Sequence, residues 1–308
     1  MTGQAFTSGG RCGRNDQTPE VLIERLFRRI SEVSSLPAVA IQIMEVANDS
    51  STGAEDLHEA VQIDAALAMR IMRTVNSSYY SLQNKVGDLK LAITLLGFKE
   101  IRNLAMTAYI SQLFKKDSGH GSYTREGLWN HLIGVGTVAR LIAETSRRVP
   151  PREAYLAGLL HDLGIILLDQ YLHKPFAEII DRLDEDVDGE QVAVCELERE
   201  ILGFDHAELG EFVATQWNLP DHLTATIRYH HCPLQYVGEH QQMVYAVALA
   251  NFLCNTKDLS ARGVGCKQVP PPEVFHGLGL DKVAVTAIWE QLDETLKAAD
   301  IMAMVRTG

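Results

Sequence analysis

Long apolar runs are missing from this chain of 308 residues. The most apolar stretch, Tyr245 to Cys254, is about half the length that a bilayer crossing requires. Residues 1 to 17 are rich in Gly, polar side chains and Arg, and they lack the apolar segment of a secretion signal. A cytoplasmic protein with no membrane partner is therefore expected, and its first 17 residues read as a tail. Cysteine is scarce as well: Cys12, Cys195, Cys232, Cys254 and Cys266 form no C-x-x-C pair and are odd in number. A disulfide framework is thereby disfavoured, and reduced thiols are expected. An excess of basic charge is also absent. Residues 1 to 120 hold 13 Lys and Arg against 13 Asp and Glu, so the whole net charge of -12 falls on residues 121 to 308. An acidic surface repels phosphate backbones, which argues against nucleic acid as a partner.

Alternating apolar and polar residues, the mark of a half-buried strand, are not found either. What is present is helical periodicity from end to end. Thr18-Pro19 opens a segment carrying Val21, Leu22, Leu26, Phe27, Ile30 and Val33 at helical spacing, closed by Leu36-Pro37. Ala38 to Asn48 follows, and Thr52-x-x-Glu55 has the form of a capping box. Asp64 is placed to cap Ala65 to Val75. Leu89 to Leu96 stops at Gly97, ahead of Lys99 to Leu113. Further helices are predicted after Thr124, from Pro150-Pro151 through Asp162, and over Glu190–Leu202, His206–Trp217, Asp221–His231, Gln241–Asn255 and Val283–Met304. Val269-Pro270-Pro271-Pro272 reads as a stiff connector. The fold class is all-α.

Two acidic or basic clusters lead nowhere specific. Asp184, Asp186, Asp188 and Gly189 open like a calcium loop, but Cys195 occupies the twelfth position, where a bidentate Glu is needed. A solvated acidic turn explains them. Arg147, Arg148 and Arg152 form a small basic group suited to solvent, a phosphate or an acidic partner.

Histidine carries the chemistry. Seven of the eleven lie between His131 and His231. His161-Asp162 sits in an apolar helix expected over Tyr155 to Leu168, where a buried charge is costly unless it is paired or bound to metal. His131, His206 and His230-His231 lie on other predicted helices, and Asn251 sits mid-helix. A mixed imidazole and carboxylate set of this kind suits iron, manganese, zinc or nickel better than calcium.

The order His131, His161-Asp162, Gly203-Phe204-Asp205-His206, Trp217-x-Leu219-Pro220 and Ile227 to His231 resembles the HD superfamily in its HDOD branch. In the first half, Leu36-Pro37, Ile63-Asp64, Val75-Asn76-Ser77 and Ala92-x-x-Leu95-Leu96-Gly97 resemble the same branch, so the likeness covers residues 20 to 255. It implies a multi-helix bundle of the HD-domain type, divided into an N-terminal helical part (18–120), an HD-like core (121–255) and a C-terminal helical extension (256–308). It further implies a bacterial signal-transduction module acting through a regulatory protein partner or a bound ligand. Catalytic relatives use a mono- or dinuclear metal centre to activate water against phosphoester bonds. Carried over by position, the metal ligands would be His131, His161, Asp162, His206, His230 and His231, with Asn251 where catalytic members place an Asp. An amide is a neutral, weaker ligand than a carboxylate. Ile165 stands where cyclic-dinucleotide phosphodiesterases of this superfamily hold a Lys. The expected activity is thus regulatory, with a metal-dependent phosphohydrolase of nucleotides or cyclic dinucleotides, or a sensor of a phosphate-containing ligand, as the alternatives. Asp205 is expected to cap a helix in preference to orienting His206.

Overall fold

A computed structural model of the chain describes residues 38–49, 51–77, 79–114, 119–185, 194–260 and 269–303, with side chains through residue 297. The predicted segment 18–33, the Leu36-Pro37 turn, most of the acidic loop at 184–189, Cys12 and Cys266 lie outside the described residues. Among the described residues the backbone is helical apart from one antiparallel pair of two-residue strands, β1 (Gly119–His120) and β2 (Tyr123–Thr124). Among the described residues no helix is long and apolar enough to cross a membrane.

The first half holds α1 (Ala38–Asn48), α2 (Ala54–Gln62), α3 (Ala65–Val75), α4 (Leu89–Leu96) and α5 (Phe98–Ile110). Their starts follow the cap chemistry of the sequence. Asp64 accepts the Leu67 N–H at 3.0 Å and Asp88 accepts that of Leu91 at 2.8 Å. Gly97, at φ +83°, makes the sharp turn between α4 and α5 that an L side chain resists. The expected capping box does not form on Thr52. Gly53 is the cap residue, its N–H donating to Asp56 at 2.6 Å, while Thr52 donates to the carbonyls of Val46 and Asp49. Asn76 is a staple: it accepts the Val86 N–H at 2.8 Å and donates to the Val86 and Met72 carbonyls, tying the end of α3 to the loop before α4.

The second half holds α6 (Arg125–Ser146), α7 (Pro151–Leu160), α8 (Leu163–Tyr171), α9 (His173–Glu185), α10 (Val194–Leu202), α11 (His206–Gln216), α12 (Asp221–Tyr229), α13 (Gln241–Thr256), α14 (Pro272–Leu278) and α15 (Lys282–Ala303). Thr124 caps α6 through the Gly127 N–H at 2.9 Å. Helix α6 is central, buried against α7, α13 and α15. It meets α7 at Gly136 and Gly158, where a Cβ on Gly158 would lie 2.7 Å from the Gly136 Cα. Only glycine lets these two backbones touch.

One expectation fails in an informative way. Tyr155 to Leu168 is not a single helix, for the chain breaks at His161-Asp162 between α7 and α8. Asp162 takes φ −100° and ψ 25°, and the Ile165 N–H closes the turn on its carbonyl at 2.9 Å. Because nearly every residue from Ala154 to Leu168 is buried, apolar periodicity has no polar face against which to show the break. The connector at 269–272 likewise passes into a helix, with Pro272 opening α14.

A polar seam joins the two halves. Arg102 of α5, wholly buried, donates to Asn48 at 2.7 Å and to Glu153 at the start of α7 at 2.9 Å. Lys99 reaches the same carboxylate at 2.8 Å, and His222 near the start of α12 lies 3.3 Å from it. Beside them Glu100 takes Arg140 and Arg152, each at 3.1 Å. Arg152 is thereby committed to an ion pair, while Arg147 and Arg148 remain exposed.

Candidate metal centre

The helix break sets Asp162 at the centre of four imidazoles. His131 comes from α6, His161 from the residue just past α7, His206 from the first residue of α11, and His230 from the residue just past α12, with His231 following as a fifth ring. Gly164 makes the approach of α8 to α11 possible. A Cβ there would stand 1.9 Å from the His206 carbonyl oxygen.

Hydrogen bonds fix how these rings are protonated. His131 Nδ1 lies 2.7 Å from the Leu259 carbonyl, His161 Nδ1 2.7 Å from that of Gly158, and His230 Nδ1 2.9 Å from that of Ile227. A carbonyl only accepts, so each Nδ1 carries the proton and, in the neutral ring, each Nε2 presents a lone pair. Those Nε2 atoms face Asp162: His131 and His161 at 3.5 and 3.2 Å from Oδ2, His230 and His206 at 3.2 and 3.4 Å from Oδ1. His231 joins through its Nε2, 3.1 Å from that of His206.

Charge follows from the same geometry. Burial alone would raise the Asp162 carboxyl, but in the absence of a cation the charge of His161 and N–H donation from His161, His206 and His230 outweigh it and hold the group well below the usual carboxylate range. Burial, then the neighbouring His161, pushes His131 down to about 4. His230 is lowered by burial too. His231 is lowered by its packed ring surroundings and by His230 and His206, although the residue as a whole opens to solvent, which weakens the effect. His206 goes the other way: burial pulls it down, but Glu198 and then Asp162 raise it well above the ordinary histidine value. Glu198 Oε2 accepts both the His206 N–H and its Nδ1–H, at 2.9 and 2.7 Å.

Lone pairs aimed at a carboxylate repel it unless a cation stands between them. Buried His161 Nε2, His230 Nε2 and Asp162 Oδ1 have no hydrogen-bond partner among the described residues. Two sets share Asp162. His206, His230 and His231 stand with one side of it, His131 and His161 with the other, and within each set the ligand atoms lie within 4.8 Å of one another. The donor set and its orphaned atoms fit a divalent transition ion. A third grouping, Cys195 with Glu198 and His206, does not. Burial pushes the Cys195 thiol up to about 12, and Glu198 is already spent on His206 Nδ1.

Asn251 lies on α13 at the wall of a cavity of about 270 Å³ that it shares with His230 and His231. Its Oδ1 accepts from Asn255 Nδ2 at 2.9 Å. Ile165 is buried, and among the described residues no Lys or Arg lines this cavity. Asp205 caps α11 by accepting the Glu208 N–H at 2.7 Å, so the carboxylate that orients His206 is Glu198. Glu198 was missed by sequence reasoning. Its signal was a charged residue on the buried stripe of α10, beside Val194, Cys195 and Leu197.

Comparison with known proteins places the chain in a family. The HDOD domain family matches residues 33–233. An uncharacterized protein of Treponema pallidum (strain Nichols) is 25% identical over 225 residues, which cover 73% of this chain and 42% of the relative. The chain spans less than half the length of the curated relatives it matches. Among solved structures, an HDOD domain protein of unknown function from Geobacter sulfurreducens superposes with a TM-score of 0.74 at 27% identity, covering 92% of this chain and 98% of that one. A Marinobacter aquaeolei VT8 protein, provisionally named for signal transduction, gives a TM-score of 0.77 at 24% identity, covering 94% and 65%.

Proposed function

The chain belongs to the HDOD family, and on that premise we propose a signalling component whose histidine cluster holds divalent metal and whose output is binding of a ligand or regulatory protein partner, not turnover. The observation that carries this reading is the ring of Nε2 lone pairs around Asp162, with their protons committed to carbonyls on the far side of each ring. His131 and His161 with Asp162 Oδ2 would hold one ion; Asp162 Oδ1 with His206, His230 and His231 would hold a second. Asn251 would contribute at most a neutral oxygen. Iron, manganese, zinc and nickel all suit these donors. Such an ion supplies Lewis acidity and lowers the pKa of a coordinated water. The backbone carbonyls of Leu259, Gly158 and Ile227 and the Glu198 carboxylate hold the rings in register for it.

Against hydrolysis stand three features. Asn251 replaces a charged ligand, Ile165 replaces a Lys, and the adjoining cavity, among the described residues, offers no Lys or Arg to a scissile phosphate. The second reading, a metal-dependent phosphohydrolase acting on a nucleotide or cyclic dinucleotide, is favoured by the nearly complete His and Asp set and by the opening of His230 and His231 onto that cavity. The purified protein is expected to retain transition metal, and to lose it in His161→Ala and Asp162→Ala. Loaded with iron or manganese, it is expected to leave generic phosphoesters and cyclic dinucleotides intact. Turnover that both substitutions abolish would replace the first reading with the second, and metal-free protein that takes up no added ion would sink both. Activity gained in Asn251→Asp would identify this position as the one that silences hydrolysis.

A further inference from the structure

Arg147 and Arg148 stand apart in the electrostatics of this protein. They begin the turn between α6 and α7, both are exposed, and neither makes an ion pair among the described residues. The carboxylates around them are already matched. Glu144 takes Arg140 Nε at 3.2 Å, and Glu100 takes Arg140 and Arg152. Glu153 takes Lys99 and Arg102. Two guanidinium charges are left over at this corner of a chain whose net charge is -12. A reversal of sign on an otherwise acidic surface steers a carboxylate-bearing partner to that one place.

Backbone and packing hold the two arginines in place. Arg147 ends α6 at φ 55° and ψ 22°, its N–H donating to the Ala143 carbonyl at 2.9 Å. Helices that end this way usually do so on glycine, because a Cβ is strained in the left-handed region. Asn218 and Asp258 also take a positive φ, but Asn and Asp tolerate it better than Arg does. The fold itself would be served by a smaller residue at 147; what an Arg adds is its guanidinium. Arg148 lies against the turn after α14. Gly279 there, at φ +67°, leaves room for it, since a Cβ would stand 3.4 Å from Arg148 Nε. Asp281, two residues on, accepts the Ala284 N–H at 2.8 Å and precedes Lys282.

Both arginines line a cleft of about 530 Å³, together with Glu144 and the prolines at 150 and 151. The prolines form a stiff apolar ledge, and they open α7 without a side-chain cap, so the positive end of that helix adds to the same field. Unpaired guanidinium groups beside such a ledge suit a peptide that carries carboxylates next to an apolar side chain. A lone phosphate makes no use of the ledge, and the Glu144 carboxylate at the rim disfavours a dianion. Duplex nucleic acid would press its backbone against the acidic remainder. We propose that the corner between α6 and α7 is the docking surface for an acidic segment of a protein partner, with Arg147 and Arg148 taking its carboxylates and Pro150-Pro151 its apolar side chain. This rests on the partner-binding reading above and not on the metal centre.

The test is fluorescence anisotropy on the full chain with three short labelled peptides of one pattern: Glu interspersed with Leu, the same with Gln for Glu, and the same with Lys for Glu. The Glu peptide is expected to bind about fivefold or more tighter than the Gln peptide, and to lose that advantage as salt is raised. Arg147→Gly removes the guanidinium and relieves the backbone together. It should leave the melting temperature unchanged or higher while cutting Glu-peptide affinity about threefold or more. Reversing both charges, Arg147→Glu with Arg148→Glu, should switch the preference to the Lys peptide in protein whose circular dichroism is that of the parent. A Glu peptide that binds no tighter than its Gln counterpart, or an advantage that survives both variants, would overturn the docking surface. So would inorganic phosphate or duplex DNA that binds in an arginine-dependent way when the Glu peptide does not. The two readings fail separately. A silent Glu peptide discards this corner and leaves the metal centre standing, whereas Glu-peptide affinity retained in Asp162→Ala keeps the corner when the metal is gone.

Discussion

Glu198 and His206 show how much a single buried carboxylate decides. With Nδ1–H committed to Glu198, whose charge raises this ring well above the ordinary histidine value, His206 Nε2 readily keeps a proton in the metal-free protein. Binding an ion there displaces that proton, and Glu198 is what makes the ring basic enough to hold the ion afterwards. Glu198→Gln preserves shape and removes the charge. It is expected to weaken metal affinity by about 10- to 100-fold with the far-ultraviolet circular dichroism unchanged, measured by competition against a chromophoric chelator. His131 gives the pH dependence. Its folded value, about 4, lies below the ordinary histidine value of 6.5, so the unfolded chain takes up that proton first as pH falls. The stability this ring contributes is complete above 6.5 and lost as pH drops toward 4, and bound metal should shift the midpoint of that loss to lower pH. Thermal unfolding with and without a chelator checks it. The histidines and Asp162 were legible in the sequence because imidazole is conspicuous on apolar helices. Glu198 was harder to single out, since its role depends on a fold that brings α10 against α11, and sequence spacing alone does not show that contact.

At the level of elements, the centre depends on glycines as much as on ligands. Gly164 lies against the His206 backbone so closely that a methyl group must drive α8 and α11 apart. Gly164→Ala should destabilise the protein by about 1–3 kcal/mol, and by more if the helices separate. Because His206 leads α11, metal retention should fall with it, whereas Gly203→Ala, where no atom would meet the new Cβ but φ is +85°, should cost stability without metal. Denaturant melts paired with metal analysis separate the two. Helix periodicity and caps made most elements readable: Asp64, Thr124 and Gly97 act where their chemistry places them. The break at Asp162 was not, because burial on every side erases the contrast on which periodicity relies. Helix α9 was not predicted, although Phe176, Ile179 and Ile180 recur at helical spacing on its buried face, because its acidic flank resembles a solvated turn more than a helix. Helix α14 is too short to establish a period.

For the molecule as a whole, the seam around Arg102 is the costly interface. Arg102→Met leaves Glu153 with Lys99 and His222 but without its buried guanidinium, and about 3–5 kcal/mol of stability should go with it. The His222, Arg102 and Lys99 contacts outweigh burial and depress the Glu153 carboxyl far below the ordinary value of 4.5. A depressed carboxylate contributes stability that is present above 4.5 and disappears as pH falls toward its folded value. Acid titration of the melting temperature should therefore decline more steeply below pH 4.5 in the parent protein than in Glu153→Gln, and equal slopes would contradict the assignment. None of this seam was visible beforehand, since its members are spread from Asn48 to His222 and each alone resembles an ordinary surface residue. Its position has a mechanical consequence. Helices α7 and α12 both begin at the seam, with Glu153 and His222, and both deliver their imidazoles just past the other end, about 15 Å away. They are paired levers on a common fulcrum. Prying the N-terminal half away would swing His161 and Asp162 against His230 and His231, and coordination bonds about 2 Å long do not survive an ångström of such play.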